Sequence, residues 1–199
     1  MSNDKALRTF LAIELPAEIR QTIADIQNKL KRSCPFDIRW LKPESIHLTL
    51  KFFGNVSGDD IIALSRVAEQ HSAVLAPLQL AVKKLGVFPS LQRPRVLWIG
   101  LSGETAPLVT FHKNLEQGWA NCGFAKEDRP FRPHLTIGRI KSSRLDGDPV
   151  KFMALAGDWS AGSFRADGLV LFQSDLTPQG AVYTELARFP FGESLNLNM

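Results

Sequence analysis

The chain has 199 residues, 44% hydrophobic and 22% charged, which fits one soluble globular domain over 1–199 and excludes a tandem of enzymes, a disordered chain and a fibrous repeat. Its longest mainly apolar run, 73–82, is broken by Pro77 and Gln79 and falls far short of the roughly 20 residues that cross a bilayer, so no membrane association is expected. The net charge of +4 is uneven, with residues 1–100 net +5 and residues 101–199 net −1, modest support for an anionic partner.

Charges at Asp4, Lys5, Arg8 and Glu14 leave no apolar signal core, so a cytoplasmic location is expected. A β-rich run at 7–13 meets Pro16, which suits a helix start. The helix carries Ile19, Ile23, Ile26 and Leu30 on one stripe and should end near Ser33. A short strand at 38–41, a turn at 43–45 and a stronger strand at 47–53 follow, the last closed by Gly54 and Asn55. Ser57 caps a second helix reaching about Val74. Strands are expected at 78–85 and 96–101. A third helix begins near Ala106, with Leu108, Phe111, Leu115, Trp119 and Cys122 as its apolar stripe. A strand at 131–140, a short helix at 150–156 and strands at 163–174 and 181–189, hairpinned around Thr177 to Gly180, complete the chain. Strands and helices mix without strict alternation, which favours α+β with antiparallel sheets.

Two of these strands share a pattern. His47-Leu-Thr-Leu50 recurs as His134-Leu-Thr-Ile137, whereas four histidines and eight threonines predict about 0.16 chance occurrences of His-x-Thr. A strand alternates its faces, so Leu48/Leu50 and Leu135/Ile137 can fill a core while His47/Thr49 and His134/Thr136 point the other way. Brought together, two imidazoles supply an acid and a base near neutral pH, and two hydroxyls can donate to a charged oxygen. That inventory suits attack on a phosphodiester, and no metal or organic cofactor is expected. Cys34 and Cys122 are too few for a metal cage and should be reduced and structural. The competing explanation is exposed strand histidines beside threonines that are simply good β-formers.

Together with 8–13 (RTFLAI), 40–54 (WLKPESIHLTLKFFG), 86–89 (GVFP), 93–98 (RPRVLW) and 131–139 (FRPHLTIGR), the paired motifs resemble the two-histidine (2H) phosphoesterase superfamily. Within it they are similar to the RNA 2′,3′-cyclic phosphodiesterase branch, also called the 2′-5′ RNA ligase family. The resemblance implies a bilobal, duplicated α+β fold, with two antiparallel sheets flanking a central cleft, helices outside and pseudo-twofold symmetry. It implies hydrolysis of a terminal 2′,3′-cyclic phosphate of RNA to a 2′-phosphate, with weak reversible 2′-5′ ligation. By position, His47 matches the proton donor to O3′ and His134 the acceptor from water; the near-symmetric spacing alone leaves that order open. Thr49 and Thr136 match phosphate-binding threonines, and Arg139 matches the arginine after the second motif.

Arg139 shares parity with Leu135 and Ile137, so a bulge or a strand end must redirect it toward the site, where it would bind phosphate or ribose. Lys51 shares parity with His47 and Thr49, so it either steers phosphate or is a solvated strand-end lysine. Phe10 and Arg8 lie on one face of the first strand; Phe10 either stacks on a base or packs in the core, and Arg8 faces the groove. Arg93, Arg95 and Arg132 either track an RNA backbone or form surface ion pairs. His71 and His112 read as ordinary surface histidines. The expected partners are RNA 3′ ends with cyclic phosphate, such as tRNA fragments, met by a monomer. The alternatives are a phosphodiesterase for a small nucleotide (ADP-ribose cyclic phosphate or a 2′-5′ oligoadenylate) and a non-catalytic module that captures RNA ends.

Overall fold

The alternating apolar runs form strands and the 3.6-residue stripes form helices in the computed structural model, which describes residues 6–145, 150, 152–153, 159–178 and 180–192. In chain order the elements are β1 (Leu7–Ile13), α1 (Ala17–Lys31), β2 (Phe36–Trp40), a 3₁₀ turn (Pro43–Ser45), β3 (Leu48–Val56), α2 (Gly58–Ser72), β4 (Leu78–Phe88), β5 (Val96–Gly103), α3 (Thr105–Asn121), β6 (His134–Leu145), β7 (Ser160–Ala166), β8 (Gly168–Thr177) and β9 (Gly180–Pro190).

The described strands make two antiparallel sheets, one in the order β3-β1-β8-β9 and the other β2-β6-β5-β4-β7. Read in order, β3-β1-β8-β9 corresponds to β6-β5-β4-β7, leaving β2 as the extra edge strand. The duplication is therefore interlocked: β4, from the first half, lies in the sheet of β5 and β6, while β8 and β9, from the second, complete the sheet of β1 and β3.

The helices bury the faces that their sequences prescribe. Ile19, Ile23, Ile26 and Leu30 of α1 are buried, as are Leu108, Phe111, Leu115 and Trp119 of α3. α2 opens on a capping box in which Ser57 Oγ accepts from the Asp60 N–H at 3.2 Å and the Asp60 carboxylate accepts from the Ser57 N–H at 2.9 Å. That arrangement satisfies two otherwise unpaired donors at the helix start.

Four sequence expectations need correction. The strand expected at 163–174 is two strands in different sheets, parted at Asp167, because Ala166 pairs with Leu78 while Gly168 pairs with Pro190. Cys122 is the exposed C-terminal cap of α3, so the apolar stripe ends one turn earlier at Trp119. His112 is buried rather than superficial, stacked on Phe131 at 4.1 Å between ring centres. The strand expected from Phe131 starts at His134, since Pro130 and Pro133 cannot donate to a ladder. Within the short helix expected at 150–156, Val150, Phe152 and Met153 are helical and the remainder lies outside the described residues.

Candidate active site

Each His-x-Thr motif is followed by one extra residue in its strand. Along β3 the pairing with β1 runs Ala12 to Thr49 and then Leu11 to Lys51, so Leu50 is extra. Along β6 the pairing with β5 runs Trp98 to Thr136 and then Leu97 to Gly138, so Ile137 is extra. Such a bulge reverses which residues share a face. Beyond it, Lys51 and Gly138 turn to the buried side, while Phe52 and Arg139 come to the side of Thr49 and Thr136.

Both bulges are held in the same way. The Leu50 carbonyl accepts from His112 Nε2 of α3 at 2.9 Å. The Ile137 carbonyl accepts from Gln27 Nε2 of α1 at 2.9 Å and from the Leu41 N–H at 3.0 Å. Gln27 and His112 occupy matching places on the two helices, next to Ile26 and Phe111. Each is a polar residue inside an apolar stripe, a pattern visible in the sequence itself. Burial lowers the pKa of His112, which suits a neutral ring donating this hydrogen bond.

The first bulge decides the fate of Lys51. Only 3% exposed, it lies on the side of α3, with its ammonium 2.6 Å from Glu116 Oε1 and 2.8 Å from the Ala125 carbonyl. Glu116 also accepts the Glu127 N–H at 2.9 Å. The lysine thus ties β3 to the segment that leads into β6, and does not face the groove as strand parity alone suggested.

His47 lies just before β3 among aromatic rings. Its centroid is 4.7 Å from that of Phe10 and nearly parallel to it, and 5.3 Å from Tyr183, edge to face. Phe10 is 1% exposed and also touches Phe52, Phe172 and Tyr183. It is a floor beneath His47, and no face of it is open to a base; cross-strand pairing with Phe172 puts it there. Burial pushes the His47 pKa down to about 4, partly offset by a hydrogen bond with the Ser45 backbone.

His134, the first residue of β6, packs edge to face on Phe88 at 5.0 Å and on Trp98 at 6.3 Å. A Cβ at Gly86 would overlap the Trp98 indole, so glycine there lets that ring settle behind the histidine. His134 Nδ1 lies 2.7 Å from the Arg132 carbonyl. Donation through Nδ1 leaves the Nε2 lone pair free.

β3 and β6 pack against each other across the two sheets. Tyr183, on β9, reports which cations meet on this side: burial pushes its phenol up, and Arg139 and Arg8 pull it part of the way back. Arg139 and Arg8 are both exposed. Thr49 and Thr136 are half-buried on their strands. Among the described residues, no group of three or more His, Cys, Asp or Glu side chains is arranged to hold a metal ion.

Two strands related by pseudo-symmetry, each with a histidine at its start and a threonine ahead of a bulge, are the pattern of a two-histidine phosphoesterase. The model of the family described as LigT-like phosphoesterase matches the chain twice, over residues 13–98 and 99–183, one motif in each copy. The chain belongs to this family. It is 31% identical over 183 residues to an RNA 2′,3′-cyclic phosphodiesterase of Methanothermobacter thermautotrophicus, covering 92% of this chain and 98% of that one. It is 33% identical over 181 residues to the protein of the same description from Methanocaldococcus jannaschii, covering 89% and 96%. Among solved structures, Thermus thermophilus TT0787 superposes with a TM-score of 0.77 at 26% identity, covering 94% of this chain and 100% of that one. Apo LigT of Escherichia coli gives 0.75 at 26%, covering 95% and 99%.

Removing the Lys51 charge strands a buried carboxylate, so Lys51→Met is expected to cost about 3–5 kcal/mol of stability in urea unfolding. Lys51→Met combined with Glu116→Leu should recover most of that loss; no recovery would mean that the pair is not coupled. His47 supplies a pH prediction. Its folded pKa of about 4 lies below the ordinary imidazole value of about 6.5, so its contribution to stability is complete above pH 6.5. That contribution falls by about 3 kcal/mol as the pH drops to 4. His47→Asn should lack this component in unfolding titrations from pH 7 to 4, leaving the smaller loss from His112, which has the same sign.

Proposed function

We propose that this chain is a metal-independent RNA 2′,3′-cyclic phosphodiesterase that opens a terminal cyclic phosphate to a 2′-phosphate. The observation that carries the reading is the pair of His-x-Thr motifs on matching bulged strands, one per family repeat. The named activity of the relatives from both archaea supports it.

In the reaction, a water attacks phosphorus and gives its proton to His134 Nε2, the nitrogen left free by the Arg132 carbonyl. The P–O3′ bond breaks, and O3′ takes a proton from His47, yielding a 2′-phosphomonoester and a 3′-hydroxyl. The Thr49 and Thr136 hydroxyls donate to the non-bridging oxygens, and Arg139 balances their charge. Burial, which pushes its pKa down to about 4, keeps His47 neutral at pH 7. An anionic phosphodiester beside it favours the imidazolium, so the acid acquires its proton as the substrate binds. Arg8 attracts the strand to the groove. Reversal of the same steps joins a cyclic phosphate end to a 5′-hydroxyl, a weak 2′-5′ ligation. The substrates are RNA 3′ ends such as tRNA fragments, acted on by a monomeric, single bilobal domain in the cytoplasm.

A second reading, hydrolysis of a small nucleotide, draws on the solved complexes of E. coli LigT with NADP+, ATP and 3′-AMP.

The test is turnover, in EDTA, of an RNA oligomer ending in a 2′,3′-cyclic phosphate. His47→Ala and His134→Ala should each lower kcat by about 10²–10⁴-fold, with a 2′-phosphate as the product of the unmodified chain. Turnover that survives both substitutions, or a 3′-phosphate product, would sink the mechanism.

A further inference from the structure

The bulge in β6 brings Arg139 to the side of Thr136, and it does so directly opposite another arginine. In the antiparallel pairing of β2 with β6, Arg39 is the Cα partner of Arg139, between the buried pair Ile38 and Ile140 and the pair Trp40 and Gly138. Directly opposed residues share a face, so the two guanidinium groups project on one side while Ile38 and Ile140 fill the other. Both arginines are exposed, and among the described residues neither side chain has an ion pair or hydrogen bond. The carboxylate available on β2, Asp37, is taken by Lys141 at 3.4 Å. The neighbour of Arg139 on the β5 side is Val96, which carries no charge.

Like charges placed directly across a ladder repel. An edge strand can leave such repulsion unrelieved at little cost in water, but a dianionic or polyanionic ligand turns it into a clamp. The pair also has a defined place relative to the reacting groups. Arg139 is three positions along β6 from Thr136, Arg39 is one strand further from β5, and Arg8 of the opposite sheet is close enough to act on the same Tyr183 hydroxyl as Arg139. Arg39 and Arg139 therefore lie beyond Thr136 along β6, past the bulge and away from His134.

We propose that Arg39, together with Arg139, binds the phosphodiester on the 5′ side of the terminal nucleotide, and so makes the enzyme prefer an RNA end to a free nucleotide cyclic phosphate. This rests on the activity proposed above and adds to it a second phosphate subsite. The terminal cyclic phosphate occupies the histidines and threonines. The next phosphate toward the 5′ end sits between the two arginines, Arg139 lying between the two subsites and Arg39 serving only the outer one. A mononucleotide has no phosphate to place there.

The test compares kcat/KM for a nucleoside 2′,3′-cyclic phosphate with that for a dinucleotide ending in a 2′,3′-cyclic phosphate, in the full chain and in Arg39→Gln. The substitution should lower the dinucleotide-to-mononucleotide ratio about tenfold, the effect of one charged hydrogen bond. It should also reduce by about 0.7 the slope of log(kcat/KM) against log salt for the dinucleotide. An unchanged ratio, or equal losses on both substrates, would overturn the subsite while leaving the phosphodiesterase reading intact. If the unmodified chain turns over neither substrate, that reading fails, and binding decides the subsite separately. A dinucleotide bearing a terminal 2′-phosphate should bind more tightly than the nucleoside 2′-phosphate in a way that Arg39→Gln abolishes; equal affinities would overturn it.

Discussion

A single inserted residue after each His-x-Thr motif sets the chemistry of the whole groove. In a regular strand Thr49 would share its face with Lys51, and Thr136 with Gly138; the bulges at Leu50 and Ile137 exchange these for Phe52 and Arg139. A bulge leaves a carbonyl outside the regular ladder, and a buried carbonyl needs a donor. The fold supplies one from a helix in each case, Gln27 for Ile137 and His112 for Leu50. The donors cross between halves: α1 belongs to the first repeat and holds the bulge of the second, while α3 belongs to the second and holds that of the first. Each motif is thereby fixed by the other repeat.

The pseudo-symmetry does not extend to the surroundings of the two histidines. His47 sits in a cluster of Phe10, Phe172 and Tyr183 that excludes water and favours the neutral ring. His134 is bracketed by Phe88 and Trp98 and tied to a backbone carbonyl. Past the bulges, one strand presents Phe52, 54% exposed, and the other presents Arg139. Past the bulges, then, one strand presents an aromatic ring and the other a cation.

The elements and motifs were legible in the sequence because they depend on local alternation and on spacing. The stripe of α1, the Ser57 cap and the alternation around both histidines need no knowledge of tertiary partners. Parity likewise shows that Arg139 needs a bulge or a strand end to reach the site, and the register decides for the bulge. What parity does not reveal is a bulge where no misplaced residue demands one, so neither reading of Lys51, groove-facing or solvated at a strand end, anticipates its burial against Glu116. Phe10 depended on which strand pairs beside β1, and the separation of β7 from β8 on which sheet each edge completes. Arg39 acquires meaning only from its register opposite Arg139, a long-range fact that no window of sequence contains. His112 and Gln27 were visible as polar residues within apolar stripes, but their partners lie 62 and 110 residues away.

The interlocked sheets separate the unit that was repeated from the unit that folds. Half a chain ending near residue 98 would own β3 and β1 but lack β8 and β9, and it would carry β4 without the complete strand on which β4 pairs. Each such half would expose the flank of β1, an open edge of the kind that recruits any available strand. Two copies of an ancestral half could satisfy each other by exchanging strands, and joining them in one chain turns that exchange into an intramolecular event. In the present topology each sheet is completed by strands of the other repeat, so neither repeat closes its own sheet, and the duplicated halves fold only as one unit.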